Sequence, residues 1–182
     1  MQKGQFHLGT DRYATVVSVS HSPHVVSSDM IHIRIYDNNH LPTKKGVVLN
    51  ASRWRHLTHQ LGAISGLFGA AAAHTETIIP LIEHLGGGIF ATMDGRYPVL
   101  HLRKYFKPNM TRGNDDAPIP TRLGVTLRLS EYQQLVSLIP VIENMSDELK
   151  KGTACYESVC HSNQMGYFSC SECSPFYTGD YF

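Results

Sequence analysis

The chain has 182 residues, of which 42% are hydrophobic, and a formal net charge of +1. Such a chain can form one large domain or two small ones with a packed core. The longest weakly polar stretch, residues 61–73, is too short to cross a bilayer, which excludes a membrane-spanning helix there. No apolar run follows the first six residues, so we expect no signal peptide and an intracellular location.

The charge is unevenly distributed along the chain. Residues 1–142 contain 14 Lys and Arg against 9 Asp and Glu, a net +5, whereas residues 143–182 contain 2 against 6, a net −4. A basic body with an acidic tail is typical of a nucleic-acid surface followed by a segment that does not bind.

The first predicted strands belong to a motif that occurs twice. His7-Leu-Gly9 recurs as His84-Leu-Gly86, and Arg12-Tyr-Ala-Thr15 corresponds to Ile89-Phe-Ala-Thr92. Each block predicts a short strand, a glycine turn and a second strand.

The third strand of each copy has one apolar and one polar face. In Met30-Ile-His-Ile-Arg-Ile-Tyr36, isoleucines alternate with His32, Arg34 and Tyr36. Strict alternation predicts a strand with one face toward the core. Leu100-His-Leu-Arg-Lys-Tyr-Phe106 repeats the same polar residues in the same order. Either the outward face has a function in both copies, or the duplication is recent.

Each polar-faced strand is followed by a loop, a basic strand and a helix. The basic strands are Pro42-Thr-Lys-Lys-Gly-Val-Val-Leu49 and Pro120-Thr-Arg-Leu-Gly-Val-Thr-Leu127. Helical periodicity then begins after Asn50 and again after Ser130, the two predicted N-caps. Pro140 should end or kink the second helix.

These elements predict an α+β fold made of two tandem ββββα units with curved antiparallel sheets. We expect the first unit at residues 1–64, a connector at 65–83, the second unit at 84–150 and a Cys-rich tail at 151–182. One such sheet with a single helix buries little apolar area alone. The two units should therefore pack helix to helix as an intramolecular pseudo-dimer.

Five motifs follow one another in a recognisable order: Phe6-x-Leu-Gly9, Arg12-Tyr13, the Ile-x-Ile-Arg-x-Tyr strand, Pro42-x-Lys-Lys-Gly-Val-x-Leu49 and Asn50-x-x-x-Trp54-x-x-Leu57. This order resembles the C-terminal domain of the transcriptional coactivator p15 family, also called positive cofactor 4. The resemblance covers residues 6–64 well and 84–143 more loosely. It implies a ββββα fold that binds single-stranded nucleic acid as a homodimer, here with both halves in one chain, as in the Pur family.

The resemblance also implies which side chains bind. The basic ridge of the family corresponds to Arg12, Arg34, Lys44, Lys45, Arg103 and Arg122, and its stacking aromatic corresponds to Phe106. Ile89 stands where Arg12 would recur, Leu123 where Lys45 would, and Asp37 where the counterpart of Phe106 would. We therefore expect asymmetric binding along the groove, with Lys107 and Arg112 of the second loop restoring some charge.

The side-chain chemistry suits unpaired strands. Arginines can fork onto phosphates, and aromatic rings can stack on bases; the candidates are Arg34, Arg103, Tyr36, Tyr105 and Phe106. A purely structural alternative exists for most of them. Each tyrosine could cover its strand neighbours, and Lys44 and Lys45 could form a solvated edge that deters aggregation. Trp54 lies on the apolar helical stripe and is a core residue.

All four cysteines lie in the tail. Cys155, Cys160, Cys170 and Cys173, with His161 beside Cys160, have a spacing compatible with a tetrahedral zinc site. Two disulfides or free thiols in a disordered tail are the alternatives, and an intracellular location argues against disulfides.

The leading hypothesis is a non-enzymatic, sequence-tolerant single-stranded DNA-binding protein of the nucleus. It would act in transcription, as a coactivator that contacts the transcription machinery, or in replication, and chains could associate further. A protein-interaction adaptor that kept the fold but lost the groove is the rival, supported by Ile89 and Leu123. An RNA-binding protein is the other alternative. No Ser/His/Asp, paired-carboxylate or Cys/His arrangement has the spacing of a catalytic nucleophile site.

Overall fold

The computed structural model describes residues 1–20, 27–73, 79–94, 97–106, 118–159 and 161–174. In this part of the chain, eight strands form two antiparallel four-stranded sheets, and helices follow each sheet. A cluster of cysteine and histidine side chains lies near the C-terminus. The predicted α+β class is therefore confirmed.

The first sheet follows chain order. Its strands are β1 (Gln2–Gly9), β2 (Arg12–Val19), β3 (Ser28–Tyr36) and β4 (Pro42–Leu49), and they are hydrogen-bonded in that sequence. On β3 the side chains of Ile31 and Ile33 are fully buried, whereas His32 and Arg34 on the other face remain partly exposed. The period-2 pattern thus separates a core face from an outward face, as predicted.

The second sheet has the same topology. Its strands are β5 (Leu81–Gly86), β6 (Ile89–Met93), β7 (Val99–Phe106) and β8 (Ile119–Arg128). Arg103 on β7 is paired with Gly124 on β8, just as Arg34 on β3 is paired with Gly46 on β4. In both sheets the register shifts immediately after this pair.

In the described segments, two helices follow the first sheet and four follow the second. They are α1 (Ala51–His59), α2 (Leu61–Ala72), α3 (Leu129–Asn144), α4 (Asp147–Lys151), α5 (Cys155–Ser158) and α6 (Gln164–Ser169). Asn50 caps α1 as predicted, because its side-chain oxygen accepts a hydrogen bond from the Arg53 N–H at 2.9 Å. Among the described residues, no helix has both the length and the apolar character needed to cross a membrane.

The helices connect the two sheets. Helix α3 packs on β1 and β2 as well as on β7 and β8, and α1 packs on β5. The Tyr132 hydroxyl on α3 donates to the Leu61 carbonyl at 2.9 Å, and its ring stacks on Phe68 with centroids 5.1 Å apart. Strand β4 also lies beside β8. Consequently one continuous core contains residues of both sheets.

The cap of one helix differs from the sequence prediction. The N-cap of α3 is Arg128, not Ser130, because β8 runs directly into the helix and the Glu131 carboxylate accepts the Arg128 N–H at 2.8 Å. Helix α3 does not end at Pro140 but continues to Asn144, so of the two predicted effects of this proline the end of the helix is excluded. The segment predicted as a connector, residues 65–83, contains most of α2, including the buried Phe68, and the start of β5.

Gly46 and Gly124 lie where the backbones of adjacent strands approach closely. A Cβ at Gly46 would lie 2.6 Å from the Ile33 carbonyl oxygen and 2.8 Å from the Arg34 Cα. Gly46→Ala should therefore lower the free energy of unfolding by about 2 kcal/mol, because the strands must separate. The control is Gly69→Ala in α2, where no described atom lies within 4 Å of the new Cβ.

Gly69→Ala should raise the free energy of unfolding by about 0.5–1 kcal/mol, since alanine favours a helix. Urea denaturation of both variants measures the difference. An equal change in the free energy of unfolding of the two variants would contradict the close approach of the strands at Gly46.

Candidate nucleic-acid interface and metal-ion cluster

Arg34 and Arg103 are held in the same way on the outward faces of the two sheets. Arg34 Nη1 donates to the Thr43 carbonyl at 2.7 Å, and Arg103 Nη1 donates to the Thr121 carbonyl at 2.7 Å. A guanidinium has five N–H donors, so this one bond orients the group and leaves other donors for an anion. Both arginines are thus positioned on their sheets and can still bind a phosphate.

A cleft of about 270 Å³ lies where the two sheets meet. Residues of both sheets line it, and four of them are cations that the sequence predicted as binding residues: Arg12, Lys45, Arg103 and Arg122, beside Ile35, Gly124 and Thr126. Lys45 and Arg122 are exposed. The structure therefore brings cations from distant parts of the chain into one concave site.

Arg12 has protein partners within this cleft. Its Nε donates to the Thr126 carbonyl at 2.7 Å, and its Nη1 lies 2.8 Å from Asp11 Oδ1 and 3.2 Å from Glu131 Oε1. The carboxylates of Asp11 and Glu131 compensate the charge of Arg12. Thr126 and Glu131 both belong to the second half of the chain. Arg12 thus ties the two sheets together and forms a wall of the cleft.

The residues that line the cleft do not include the other described binding candidates, Arg34, Tyr36, Lys44, Tyr105 and Phe106. Lys44 is exposed at the start of β4, next to Lys45. Phe106 at the end of β7 is 58% exposed and is paired in register with Ile119. Lys107 and Arg112 lie outside the described residues. The ring of Phe106 is therefore accessible to a base, and it lies at the end of the strand that carries Arg103.

Each sheet also carries three aromatic rings in a row across its first three strands. Neighbouring ring centroids are 4.8 to 4.9 Å apart. The first aromatic row consists of His7, Tyr13 and Tyr36, and the second aromatic row consists of His84, Phe90 and Tyr105. Sequence reasoning identified Tyr36 and Tyr105 and missed the other four rings. The 77-residue correspondence of His7 with His84 and of Tyr13 with Phe90 was the signal that could have found them.

Three histidines on these sheets have a lowered pKa, which favours the neutral ring. Burial lowers the pKa of His32 and of His101, and the neighbouring arginines, Arg34 and Arg103, lower it further. Burial, followed by the effect of a nearby histidine, lowers the pKa of His84 to about 4. These side chains could contact a nucleic acid through hydrogen bonds or stacking, but they add no positive charge.

The tail brings three cysteines and one histidine together. The potential ligand atoms of Cys155, His161, Cys170 and Cys173 all lie within 4.8 Å of one another. These residues are therefore close enough to bind one metal ion. Three of them were predicted from the sequence, and the fourth predicted ligand, Cys160, lies outside the described residues.

His161 is the ligand candidate that sequence reasoning did not select. Its Nδ1 lies 2.7 Å from the Val159 carbonyl oxygen, which can only accept, so Nδ1 carries the proton. The lone pair is then on Nε2, which is buried and has no hydrogen-bond partner among the described residues. Buried nitrogen atoms normally have a hydrogen-bond partner, and a metal ligand is an exception because its lone pair binds the ion. Nε2 of His161, beside three cysteine sulfurs, fits this exception.

The described cysteines are free thiols. Cys155 Sγ and Cys173 Sγ are 3.6 Å apart, well beyond the roughly 2.05 Å of a disulfide bond. Burial raises the pKa of both thiols. Since metal ligation requires the thiolate, an ion bound here would displace protons from these groups.

We compared the chain with family models, curated proteins and solved structures, and none of them matches it.

Proposed function

We propose that the chain binds single-stranded DNA, with little sequence preference, in the cleft between the two sheets. The convergence of Lys45, Arg103 and Arg122 on one cleft lined by both sheets carries this proposal. Proteins hold unpaired strands with a cationic groove and aromatic rings, and both are present here. In line with the resemblance to the p15 family, the activity would serve transcription, as a coactivator in contact with the transcription machinery, or replication, in the nucleus.

We also propose that the chain is a tandem pair of ββββα units arranged as an intramolecular pseudo-dimer. The matching surroundings of Arg34 and Arg103 support this, because each is paired with a glycine and bonded to a threonine carbonyl. The two aromatic rows occupy corresponding strands as well. A duplicated unit accounts for all of these correspondences at once.

An unpaired strand suits this site better than a duplex does. Proteins that read a duplex directly insert a helix or a β-ribbon into a major groove about 12 Å wide. Here the cations are carried by strands and line a concave space of about 270 Å³. We expect one sugar-phosphate backbone to enter this cleft. Bases that reach an aromatic row of either sheet would stack there, which contributes about 1–3 kcal/mol per base.

Fluorescence anisotropy with labelled oligonucleotides tests the proposal. We expect single-stranded DNA to bind more tightly than the matching duplex, and the logarithm of the association constant to fall with the logarithm of salt concentration by about 0.7 per phosphate contacted. Tighter binding of RNA than of DNA would support the RNA-binding alternative. An absence of binding at low salt would refute the proposal.

A protein-interaction adaptor is the second candidate. Phe106, Ile119 and Leu123 are 58%, 53% and 36% exposed, and Leu123 stands at the place of a second lysine. Phe106 and Ile119 are paired at the end of the second sheet, and exposed apolar neighbours of this kind can form a protein contact. The same titration separates the two functions, since an adaptor of this kind would leave the oligonucleotide free.

We propose that the Cys/His cluster binds one Zn²⁺. Three thiolates and one imidazole form a common ligand set of structural zinc sites, which are tetrahedral and closed. The orphaned Nε2 of His161 supports this assignment. With all four positions filled by protein atoms, the ion would stabilise the tail and would have no open position for catalysis.

A further inference from the structure

One residue between the clustered cysteines contacts both halves of the fold. Glu172 lies within the Cys170-to-Cys173 segment, and its carboxylate accepts hydrogen bonds from Asn50 Nδ2 and Arg53 Nε, each at 2.6 Å. Its backbone carbonyl accepts the Gly87 N–H at 2.7 Å. Glu172 therefore joins the N-terminus of α1 to the turn between β5 and β6.

The β5–β6 turn leaves no room for other side chains at this place. Gly87 has a φ of +56°, and a Cβ there would lie 2.2 Å from Arg53 Nη2. Gly86 has a φ of +122°, and a Cβ there would lie 2.7 Å from Glu172 Oε2. Glycine both permits these backbone angles and lets the two charged side chains lie directly against the turn.

The corresponding contact at the β1–β2 turn needs no residue from the tail. There Glu131, the third residue of α3, lies against Gly9 and forms an ion pair with Arg12 at 3.2 Å. Helix α3 supplies the negative charge through Glu131, and strand β2 supplies the positive charge through Arg12.

At the β5–β6 turn this charge pattern is changed. The third residue of α1 is Arg53, a cation, and the strand position that corresponds to Arg12 is Ile89. Arg53 is only 8% exposed, and a buried guanidinium without a counter-charge is strongly destabilising. The negative charge that compensates Arg53 comes from Glu172 in the tail.

A second contact fixes the tail on the same helix. The Tyr156 hydroxyl lies 2.5 Å from His59 Nδ1, and the Tyr156 ring meets His56 edge-on with centroids 4.8 Å apart. His56 Nε2 in turn lies 2.7 Å from Glu83 Oε1 on β5. Both ends of the cluster are thus attached to the junction of α1 and β5.

We infer that the Cys/His cluster, together with Glu172, is a metal-dependent clasp that holds α1 of the first half against the β5–β6 turn of the second half. This inference rests on the proposed zinc site. Without an ion to gather Cys155, His161, Cys170 and Cys173, the Glu172 carboxylate loses its fixed position. Metal loading therefore controls how firmly the two halves are held together.

The clasp is connected to the proposed binding surface through the turn. Gly88 follows Gly87, and its carbonyl accepts the Tyr105 N–H at 2.8 Å. Phe90, on the strand that leaves the turn, is paired with Arg103. Metal release should therefore disturb the second aromatic row and Arg103, while the first sheet keeps its own contacts.

Hydrogen exchange measured by mass spectrometry, without any nucleic acid, tests the clasp. We expect removal of zinc by a chelator to raise the exchange of residues 84–90 by about 10-fold. Glu172→Ala should have a comparable effect while the protein still carries one zinc per chain. Glu172→Gln, which keeps the shape and loses the charge, should give a smaller increase of about 3-fold. Ser171→Ala, an exposed position in the same segment, is the matched control and should change nothing.

Unchanged exchange at residues 84–90 after zinc removal or in Glu172→Ala would overturn the inference, and so would purified protein that binds no zinc. Because the readout needs no oligonucleotide, the clasp can be confirmed even if single-stranded DNA binding fails. If the clasp and the binding of single-stranded DNA are both confirmed, zinc removal should also weaken DNA binding several-fold.

Discussion

Replacing Lys45 and Arg122 by glutamate should weaken binding of a short single-stranded DNA about 100-fold at low salt. Both side chains are exposed and line the cleft, so the exchange should leave the fold intact. Each change removes one charge-assisted contact of roughly 1.5 kcal/mol, and tenfold in affinity corresponds to about 1.4 kcal/mol. Anisotropy titrations at several salt concentrations measure the loss, and the salt slope should fall by about 1.4, or 0.7 for each phosphate contact.

The matched control is Lys150→Glu with Lys151→Glu. These lysines are exposed on α4 and bring the same change in net charge. In 0.15 M salt their replacement should alter the affinity only about 2-fold, because they do not line the cleft and the Debye length is then about 8 Å. An equal loss in both double variants would mean that overall charge, and not the cleft, governs binding. Unchanged affinity in the cleft variant would refute the proposed site.

The second large effect is expected at the metal cluster. His161→Ala should lower the zinc affinity at least about 100-fold, since even residues that only support a ligand contribute 10–100-fold. Cys160→Ser should retain one zinc per chain, because three thiols and His161 already complete a tetrahedral set. Competition with a chromophoric chelator measures the affinities, and metal analysis after dialysis gives the stoichiometry.

Thermal unfolding provides an independent readout of the same pair. His161→Ala should unfold at a Tm about 10 °C lower, because loss of the ion removes roughly 3 kcal/mol from the free energy of unfolding. In a chain of this size each kcal/mol shifts the Tm by about 2–4 °C. Cys160→Ser should unfold near the temperature of the parent protein. The reverse result, with zinc lost from Cys160→Ser and kept in His161→Ala, would favour the four-cysteine ligand set that the sequence predicted.

The strands and their faces were predictable because they follow from local geometry. Side chains alternate along a strand, so the positions of Ile31 and Ile33 in the core and of Arg34 outside it can be read from the order of residues. The cap at Asn50 is similarly local, since its side chain bonds only three residues ahead. The cap of α3 was missed because the helix begins directly at the end of β8, where Glu131 bonds the Arg128 N–H.

The composition of the sites was only partly predictable. Spacing identified the Cys-rich tail, but His161 and Cys160 are neighbours, and no spacing rule could choose between them. Glu172 carried no signal, because its partners Arg53 and Gly87 are about 120 and 85 residues away along the chain. Such a contact depends on how the tail returns to the helix, which local preference does not encode.

The two sheets, their polar faces and the cations on those sheets follow from the order of residues alone. Which of those cations can still bind a ligand depends on contacts between segments that are far apart in the chain. Arg12 and Arg34 look equivalent along the chain, yet Arg12 is paired with Asp11 and Glu131, whereas Arg34 bonds a neutral carbonyl. The physical reason is that periodicity specifies the face on which a side chain lies, while its available charge depends on the groups that other segments bring to it.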